Sequence, residues 1–261
     1  IASKSLSIDV DSIAVASTGI IGVELPMALM RKFIPQIELS DSDGSGFARS
    51  ILTTDKRTKE IAVSFDLEGS KVTVAGVAKG SGMIHPNMAT MLAFITSDIS
   101  IDEKILKDVL SHSVNNSFNQ ISVDGDQSTN DTVLIMTNGK ANNKKITNID
   151  VAEKFIKALD EVCIFLAKEI AKDGEGNTRL IEATVQGAKT EDDARKATKY
   201  IVSSNLVKTA VYGRDPNWGR IMMAVGASQI ELDESKIEIF VNDIQIVAEG
   251  IATPYNHQSV V

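Results

Sequence analysis

One stretch of the chain combines residue types that are suited to hydroxyl chemistry. It reads KGSGMIHPNMATMLAF over residues 79–94. Its glycines, followed by Pro-Asn, predict a tightly turned loop that leads directly into an apolar strand. Thr90 lies at this junction, and the small residues before it leave the carbonyl group of Ala89 open to close approach. The pattern therefore suits a threonine hydroxyl that attacks the peptide bond preceding it.

Cleavage of that bond would give Thr90 a free α-amino group. The pKa of an unperturbed α-amino group is about 7.7–8, close to working pH, whereas a threonine hydroxyl alone is a poor nucleophile. The new amine is therefore suited to act as general base for its own hydroxyl. From the pattern alone, the alternative is an ordinary Gly-Ser-Gly turn before a strand.

The elements that must position this stretch follow from the hydrophobic periodicity. Alternating apolar residues within 61–78 predict a β-hairpin, which delivers Lys79 to the loop. Earlier in the chain, residues 12–16 are a short strand candidate that leads into Ser-Thr-Gly at 17–19. Such a turn exposes backbone N–H groups that can hold an oxyanion, although a plain connecting turn has the same pattern.

The remainder of the chain alternates helices and strands. Helices are predicted near residue 26 and over residues 100–114, 151–172 and 191–203, a strand over 180–185, and a second hairpin over 237–247. Trp218 is predicted to lie in a turn as a packing anchor, beside a local salt-bridged network of Arg214, Asp215 and Arg220. Without Rossmann glycines or a P-loop, this order predicts an α/β fold of mixed sheets flanked by helices.

Composition and charge argue against several functional classes. The chain has 261 residues and a net charge of −8, and no cluster of lysine or arginine provides a nucleic-acid footprint. No run approaches the roughly 18 apolar residues of a membrane-spanning helix. The single cysteine, Cys163, lies in an apolar helical pattern and is predicted to be a buried structural thiol in a reducing compartment. We expect a soluble cytoplasmic protein that binds neither nucleic acid nor membrane.

Residues 118–132 are dense in small polar residues and carboxylates. Three acids in this run, Asp124, Asp126 and Asp131, superficially resemble a calcium loop. However, no glutamate occupies the twelfth loop position and no pair of helices flanks the run. We therefore expect no metal site.

Several of these motifs, over residues 12–250, resemble the ornithine acetyltransferase (ArgJ) family. GSGMIHPNMATMLAFITSD is similar to the self-cleaving segment of that family, whose precursors split at an Ala-Thr bond. The resemblance implies cleavage between Ala89 and Thr90. It implies an α segment, residues 1–89 without the family's N-terminal portion, and a β segment that starts at the nucleophile, residues 90–261. The implied fold is that of a self-cleaving N-terminal-threonine-nucleophile enzyme (ArgJ/DmpA-like).

The resemblance also implies which residues form the site. Thr18 and Gly19, in the run VASTGIIG, match the oxyanion-hole segment of the family. Four further positions match residues that contact the substrate: Thr53, Lys79, Thr90 and Glu175. By themselves, the lysine and the glutamate are typical of solvated charges at a strand end and in a turn. Together they would pair with the carboxylate and the ammonium group of an amino acid.

Two further regions differ in how well they match the family. The run NQISVDGD is similar to a segment that shapes the family's active-site cleft, and Asn130 and Asp131 after it are hydrogen-bonding candidates. Residues 251–261 do not match the family's tail, which closes over the substrate.

The activity that the resemblance implies is acetyl transfer in arginine biosynthesis. Thr90 would take the acetyl group from N-acetylornithine and pass it to glutamate, which splits one difficult transfer into two easier steps. No cofactor is implied, although some members use acetyl-CoA as a co-substrate, and the two segments are expected to associate as an α2β2 heterotetramer. Two alternatives stay open: an N-terminal-nucleophile amidohydrolase or aminopeptidase, with water as the acceptor, and an inactive structural fragment of the family.

Overall fold

The computed structural model describes residues 1–39, 43–86 and 91–260. The helices in these ranges are α1 (Ala2–Leu6), α2 (Met27–Phe33), α3 (Gly44–Ser50), α4 (Glu103–Asn115), α5 (Glu153–Lys172), α6 (Glu191–Ser203), α7 (Asn205–Tyr212), α8 (Trp218–Ala227) and α9 (His257–Val260). The strands are β1 (Lys59–Leu67), β2 (Ser70–Lys79), β3 (Leu92–Ser97), β4 (Thr132–Thr137), β5 (Ile239–Val241), β6 (Ile244–Ala248) and β7 (Ile251–Ala252). None of the helices in the described ranges combines the length and the apolar character needed to cross a membrane.

The larger sheet has the strand order β1-β2-β3-β4. Strand β2 is antiparallel to both β1 and β3, whereas β3 and β4 are parallel. Strands β1 and β2 confirm the predicted hairpin, and both turn residues, Glu68 and Gly69, have left-handed φ angles of 52° and 86°. Two-residue turns with left-handed φ angles match the twist of the two strands that they connect. Mixed sheets flanked by helices confirm the predicted fold class.

Helix α5 packs across β1 and β2 through its apolar stripe. Gly76 in β2 lies beneath this helix, where a Cβ atom would stand 2.8 Å from Val162 and 2.9 Å from Leu166. Because the interior is close-packed, a side chain at residue 76 would force these two side chains of the helix to move. Cys163 in the same stripe is fully buried, and burial raises the pKa of its thiol to about 12. The prediction of a buried structural thiol is confirmed.

The smaller sheet has the order β5-β6-β7 and confirms the second predicted hairpin. Trp218 packs against the apolar cluster of this sheet. The predicted turn at Trp218 is wrong, since this residue is the first of α8 and follows the helix cap Asn217, whose side chain accepts the N–H of Arg220. An asparagine at the N-cap satisfies a backbone donor that the helix leaves unpaired.

The predicted salt-bridged network of Arg214, Asp215 and Arg220 is also wrong. Within the described part of the chain, no ion pair joins these side chains. The guanidinium of Arg220 instead donates to the carbonyl oxygen of Leu206 (2.9 Å) and to the hydroxyl of Thr209 (2.8 Å). Since both partners lie in α7, the arginine attaches α8 to α7.

Two predicted strands do not occur in the described residues. In place of a strand over 12–16, the chain has a 3-10 helix at Val10–Ser12 followed by irregular backbone, and none of residues 1–39 is buried. Residues 181–186 alternate between half-buried and exposed, as a strand would, but no strand among the described elements pairs with them. A strand needs a neighbour for its backbone groups, and alternation alone does not supply one.

Candidate functional site

The loop of residues 80–86, which follows β2, is the centre of the site. The predicted cleavage residues Ala89 and Thr90 lie outside the described residues. Met91, the next residue in the chain, is buried, and its carbonyl oxygen accepts a hydrogen bond from the N–H of Thr132 (2.8 Å). The segment just after the predicted nucleophile is therefore attached to the start of β4.

The first half of the loop is bonded to two distant segments. The N–H of Gly80 donates to Asp55 Oδ1 (2.6 Å), and the hydroxyl groups of Ser81 and Thr54 lie 2.6 Å apart. The carbonyl oxygen of Ser81 accepts a hydrogen bond from the N–H of Glu175 (2.9 Å). These bonds bring the Thr-Thr-Asp run and the Asp-Gly-Glu-Gly run to the same loop.

The second half of the loop is held by an acid and a lysine. The carboxylate of Asp124 accepts the N–H groups of Met83 (2.6 Å) and Ile84 (2.9 Å). The ammonium of Lys199 donates to the carbonyl oxygen of Pro86 (3.0 Å) and to two further carbonyl groups, and burial lowers the pKa of this lysine to about 8. The acid that resembled a calcium ligand therefore binds backbone N–H groups. No group of three or more potential ligands among the described residues is placed to hold a metal ion.

Lys79 provides a cation at the start of the loop. The residue is only 8% exposed, yet its ammonium forms no hydrogen bond or ion pair with any other described residue. Burial lowers the pKa of this ammonium, the charge of Lys59 lowers it further, and the charges of Asp55, Asp131 and Glu175 oppose this shift. A desolvated ammonium without a partner is stabilised when an anionic ligand supplies one.

Glu175 provides an anion at the same loop. A Cβ atom at Gly82 would stand 2.7 Å from the carboxyl carbon of Glu175, so only glycine allows this carboxylate to approach the loop so closely. Glu175 is exposed, and it is not ion-paired with Lys79 although its charge acts on that lysine. The two opposite charges therefore lie at one loop without neutralising each other.

Of the other predicted site residues, Thr53 is connected to the loop, whereas Thr18 and Gly19 are not hydrogen-bonded to it within the described residues. Thr53 is exposed, and its N–H donates to Asp55 Oδ2 (3.2 Å), the same carboxylate that binds Gly80. Thr18 and Gly19 lie in the irregular N-terminal segment, and neither is hydrogen-bonded to the loop within the described residues. The structure thus connects Thr53 with Lys79 and Glu175, and it does not connect the predicted oxyanion residues with them.

Sequence reasoning missed a buried charged cluster beneath this loop. Lys59 Nζ lies 2.7 Å from both Asp55 Oδ1 and Asp173 Oδ2. One local signal was available: Lys59 lies on the same face of β1 as the inward apolar residues Ile61 and Val63. A charge on an inward strand face is almost never buried without a partner.

Asp131, a predicted hydrogen-bonding candidate, is a titratable group near the start of β4. Its Oδ2 atom is buried and has no hydrogen-bond partner among the described residues. Burial raises the pKa of this carboxyl to about 7, although a hydrogen bond from Ser128 and the charge of Lys79 act in the opposite direction. The carboxyl therefore exchanges its proton near neutral pH.

We expect Asp131 to make the protein less stable as the pH rises from 5 to 8. Its folded pKa lies above the unfolded value of about 3.9, so its contribution to stability is complete below that value and is lost as pH rises through about 7. The free energy of unfolding, measured with urea at pH 5 and at pH 8, should fall less between these pH values for Asp131→Asn than for the wild type. The control Asp108→Asn changes an exposed carboxyl on α4 and should keep the wild-type dependence. An unchanged dependence in Asp131→Asn would contradict this assignment.

Known proteins resemble this chain along most of its length. The model of the ArgJ family matches residues 1–260. An arginine biosynthesis bifunctional protein ArgJ from Oceanobacillus iheyensis is 48% identical over 248 residues, which cover 95% of this chain and 61% of that protein. The corresponding protein of Bacillus anthracis is 50% identical over 252 residues, which cover 95% of this chain and 62% of that protein.

A solved structure is also similar. The crystal structure of an arginine biosynthesis bifunctional protein ArgJ from Bacillus halodurans matches with a TM-score of 0.63 and 45% identity, over 66% of this chain and 81% of that chain. This chain spans less than two thirds of the length of the curated relatives described above. The match of the family model along nearly the whole chain, together with these identities, shows that the chain belongs to the ArgJ family.

Proposed function

We propose that this chain transfers an acetyl group from N-acetylornithine to glutamate through an acetyl-Thr90 intermediate, after it cleaves itself between Ala89 and Thr90. The observation that carries the proposal is the buried Lys79, which has no partner among the described residues, at the same loop as the exposed Glu175. The relatives add support, because they carry the name arginine biosynthesis bifunctional protein.

The proposed reaction begins with the peptide bond between Ala89 and Thr90. The hydroxyl oxygen of Thr90 attacks the carbonyl carbon of Ala89, and the amide nitrogen leaves with the hydroxyl proton as the α-amino group of Thr90. Water then hydrolyses the resulting ester, which releases the carboxylate of Ala89 and restores the hydroxyl of Thr90. That amine then takes the hydroxyl proton as Thr90 attacks the acetyl group of N-acetylornithine, and it returns the proton to the departing ornithine amine. The amine of glutamate attacks the acetyl-threonine ester in turn and regenerates the hydroxyl.

Charge complementarity explains the choice of substrate in this proposal. N-acetylornithine and glutamate share an α-carboxylate, which would pair with Lys79. Ornithine and its acetyl derivative also carry an ammonium group, for which Glu175 is the candidate partner. Charge-assisted hydrogen bonds are about twice as strong as neutral ones, so these two contacts would orient the substrate beside Thr90.

The pairing of the strands supports continued association of the two segments after cleavage. Strand β2 belongs to the proposed α segment, and β3 to the proposed β segment. The two strands pair from Val74–Ser97 to Lys79–Leu92. We propose that these backbone hydrogen bonds hold the segments together and that two such pairs form an α2β2 heterotetramer. The proposed transfer uses no cofactor, and acetyl-CoA is a proposed second acetyl donor.

Product analysis tests the proposed reaction. The chain would be incubated with N-acetylornithine, with and without glutamate, and its intact mass would be measured. We expect two fragments in place of the 28.1 kDa chain, and N-acetylglutamate and ornithine only when glutamate is present. Acetate and ornithine without any need for glutamate would indicate an amidohydrolase, and an uncut chain without turnover would indicate a structural protein.

Lys79→Met is expected to raise KM for both donor and acceptor. Methionine keeps much of the length of the side chain but loses the charge, and a hydrogen bond to a charged group is worth roughly 1.5–3 kcal/mol, or about 10- to 150-fold. Because the carboxylate is bound in ground and transition states alike, kcat should change less than KM. Steady-state kinetics on the folded, cleaved variant provide the measurement.

Lys71→Met is the matched control, since Lys71 is an exposed lysine on the same strand. It should keep wild-type KM values. Wild-type KM values in Lys79→Met would show that the carboxylate is held elsewhere, with Arg214 and Arg220 as the next candidates.

A further inference from the structure

The buried ammonium group of Lys59 lies beneath the loop of residues 80–86. Lys59 Nζ donates to Asp55 Oδ1 (2.7 Å), Asp173 Oδ2 (2.7 Å) and the carbonyl oxygen of Arg57 (3.2 Å). The side chains of Lys59 and Asp55 are 0% exposed and that of Asp173 is 3% exposed. An ammonium group has three N–H donors, so each donor of Lys59 has an acceptor.

Each carboxylate of this cluster also binds backbone N–H groups. Asp55 accepts the N–H of Gly80 (2.6 Å) and that of Thr53 (3.2 Å), whereas Asp173 accepts the N–H of Lys56 (3.0 Å). Burial alone would raise the pKa of Asp55, but the hydrogen bonds from Lys59, Gly80 and Thr53 outweigh it and lower the pKa. The carboxylate therefore stays charged and keeps its backbone partners.

The cluster joins the three segments that carry the proposed substrate contacts. The N–H of Thr53 donates to Asp55, Gly80 directly follows Lys79, and Asp173 precedes Glu175 by two residues. Strand pairing also places Lys59 opposite Ala78, next to Lys79. Asp55 and Asp173 are separated by over a hundred residues in the chain, and the ammonium of Lys59 binds both carboxylates.

We propose that Lys59 is a positioning residue for substrate binding, which acts through Asp55 and Asp173 to hold Thr53, Lys79 and Glu175 in one arrangement. The proposal rests on the proposed function, because it concerns the same substrate contacts. Without the ammonium, two buried carboxylates would face each other and would have to separate, take up a proton or admit water. Any of these changes moves the segments that the carboxylates hold.

Lys59→Met is the principal test, and it has two independent readouts. Hydrogen–deuterium exchange should become about tenfold or more faster in residues 80–84 and 174–177, while the β5–β6 hairpin keeps its wild-type rate. Because a misplacement of about 1 Å can cost about 100-fold, kcat/KM should fall about 10- to 100-fold, mainly through KM. Lys157→Met removes an exposed lysine that is paired with Glu153 and should change neither readout.

Asp173→Asn provides the same test if Lys59→Met does not fold, because it neutralises one carboxylate while keeping its shape. Asp173→Asn should also accelerate local exchange and lower kcat/KM, each by less than Lys59→Met does. A lower melting temperature with unchanged local exchange, or an unchanged KM in the folded protein, would overturn the positioning role. A wild type without acetyl transfer counts against the proposed function alone, since local exchange in the variants still decides whether Lys59 holds these segments.

Discussion

Thr90→Ala is expected to leave a single chain of 28.1 kDa that does not transfer acetyl groups. Alanine lacks the hydroxyl that would attack the carbonyl of Ala89, and an uncleaved chain has no α-amino group at residue 90 to act as base. Thr90→Ser retains the hydroxyl and should still cleave. Intact mass spectrometry distinguishes the uncut chain from fragments of residues 1–89 and 90–261, and the acetyl-transfer assay measures activity.

Thr96→Ala is the control for this substitution. Thr96 is an exposed threonine in β3, a few residues beyond Thr90, so its loss should affect neither cleavage nor transfer. Cleavage of Thr90→Ala between residues 89 and 90 would remove the Thr90 hydroxyl from the proposed mechanism. Cleavage of Thr90→Ala at another bond would point to contamination by a protease.

Thr18→Val is expected to lower turnover by about 10²–10³, or roughly 3–4 kcal/mol, with little loss of stability. In the proposed mechanism the hydroxyl of Thr18 and the N–H of Gly19 donate to the oxyanion that develops on the acetyl carbonyl. Valine keeps the shape of threonine without its donor. Measurement of kcat on folded, cleaved protein, together with thermal unfolding, separates a catalytic loss from a structural one.

Ser17→Ala provides the matched control, because it removes a neighbouring hydroxyl to which no role is assigned. Among the described residues, no heavy atom beyond the chain neighbours lies within 4 Å of an ideal Cβ at Gly19, and no residue of 1–39 is buried. The oxyanion role thus depends on the family motif and not on an observed contact. Unchanged turnover in Thr18→Val would show that the segment is only a connecting turn without a catalytic role.

Local sequence predicted well where the stabilising interactions are local. The helix predicted over residues 191–203 has those bounds in the structure, because Thr190 caps its start and three acids occupy its first turn. The second hairpin turns at Asn242 and Asp243, which adopt left-handed φ angles of 49° and 66°. These residue types tolerate that conformation, so the turn follows from the sequence alone.

Prediction failed where an element depends on a distant partner. Residues 12–16 and 180–185 were predicted as strands, but neither is paired with a strand in the part of the chain that the structure describes. The helical character of 218–227 was also missed, because the position of Trp218 between Asn217 and Gly219 suggested a turn. Its cap at Asn217 and its packing on the small sheet outweigh those local preferences.

For the site, the sequence by itself determined which groups are candidates: a hydroxyl at a loop-to-strand junction, a lysine at a strand end and a glutamate between glycines. The tertiary structure decided that Lys79 and Glu175 share a loop, that the Lys79 ammonium has no partner among the described residues, and that a buried lysine and two carboxylates lie beneath them. Asp55 precedes β1 and Asp173 follows α5, so the packing of β1 on α5 brings both carboxylates to Lys59. Charge pairing over such a separation depends on the packing of whole elements, and no local pattern encodes it.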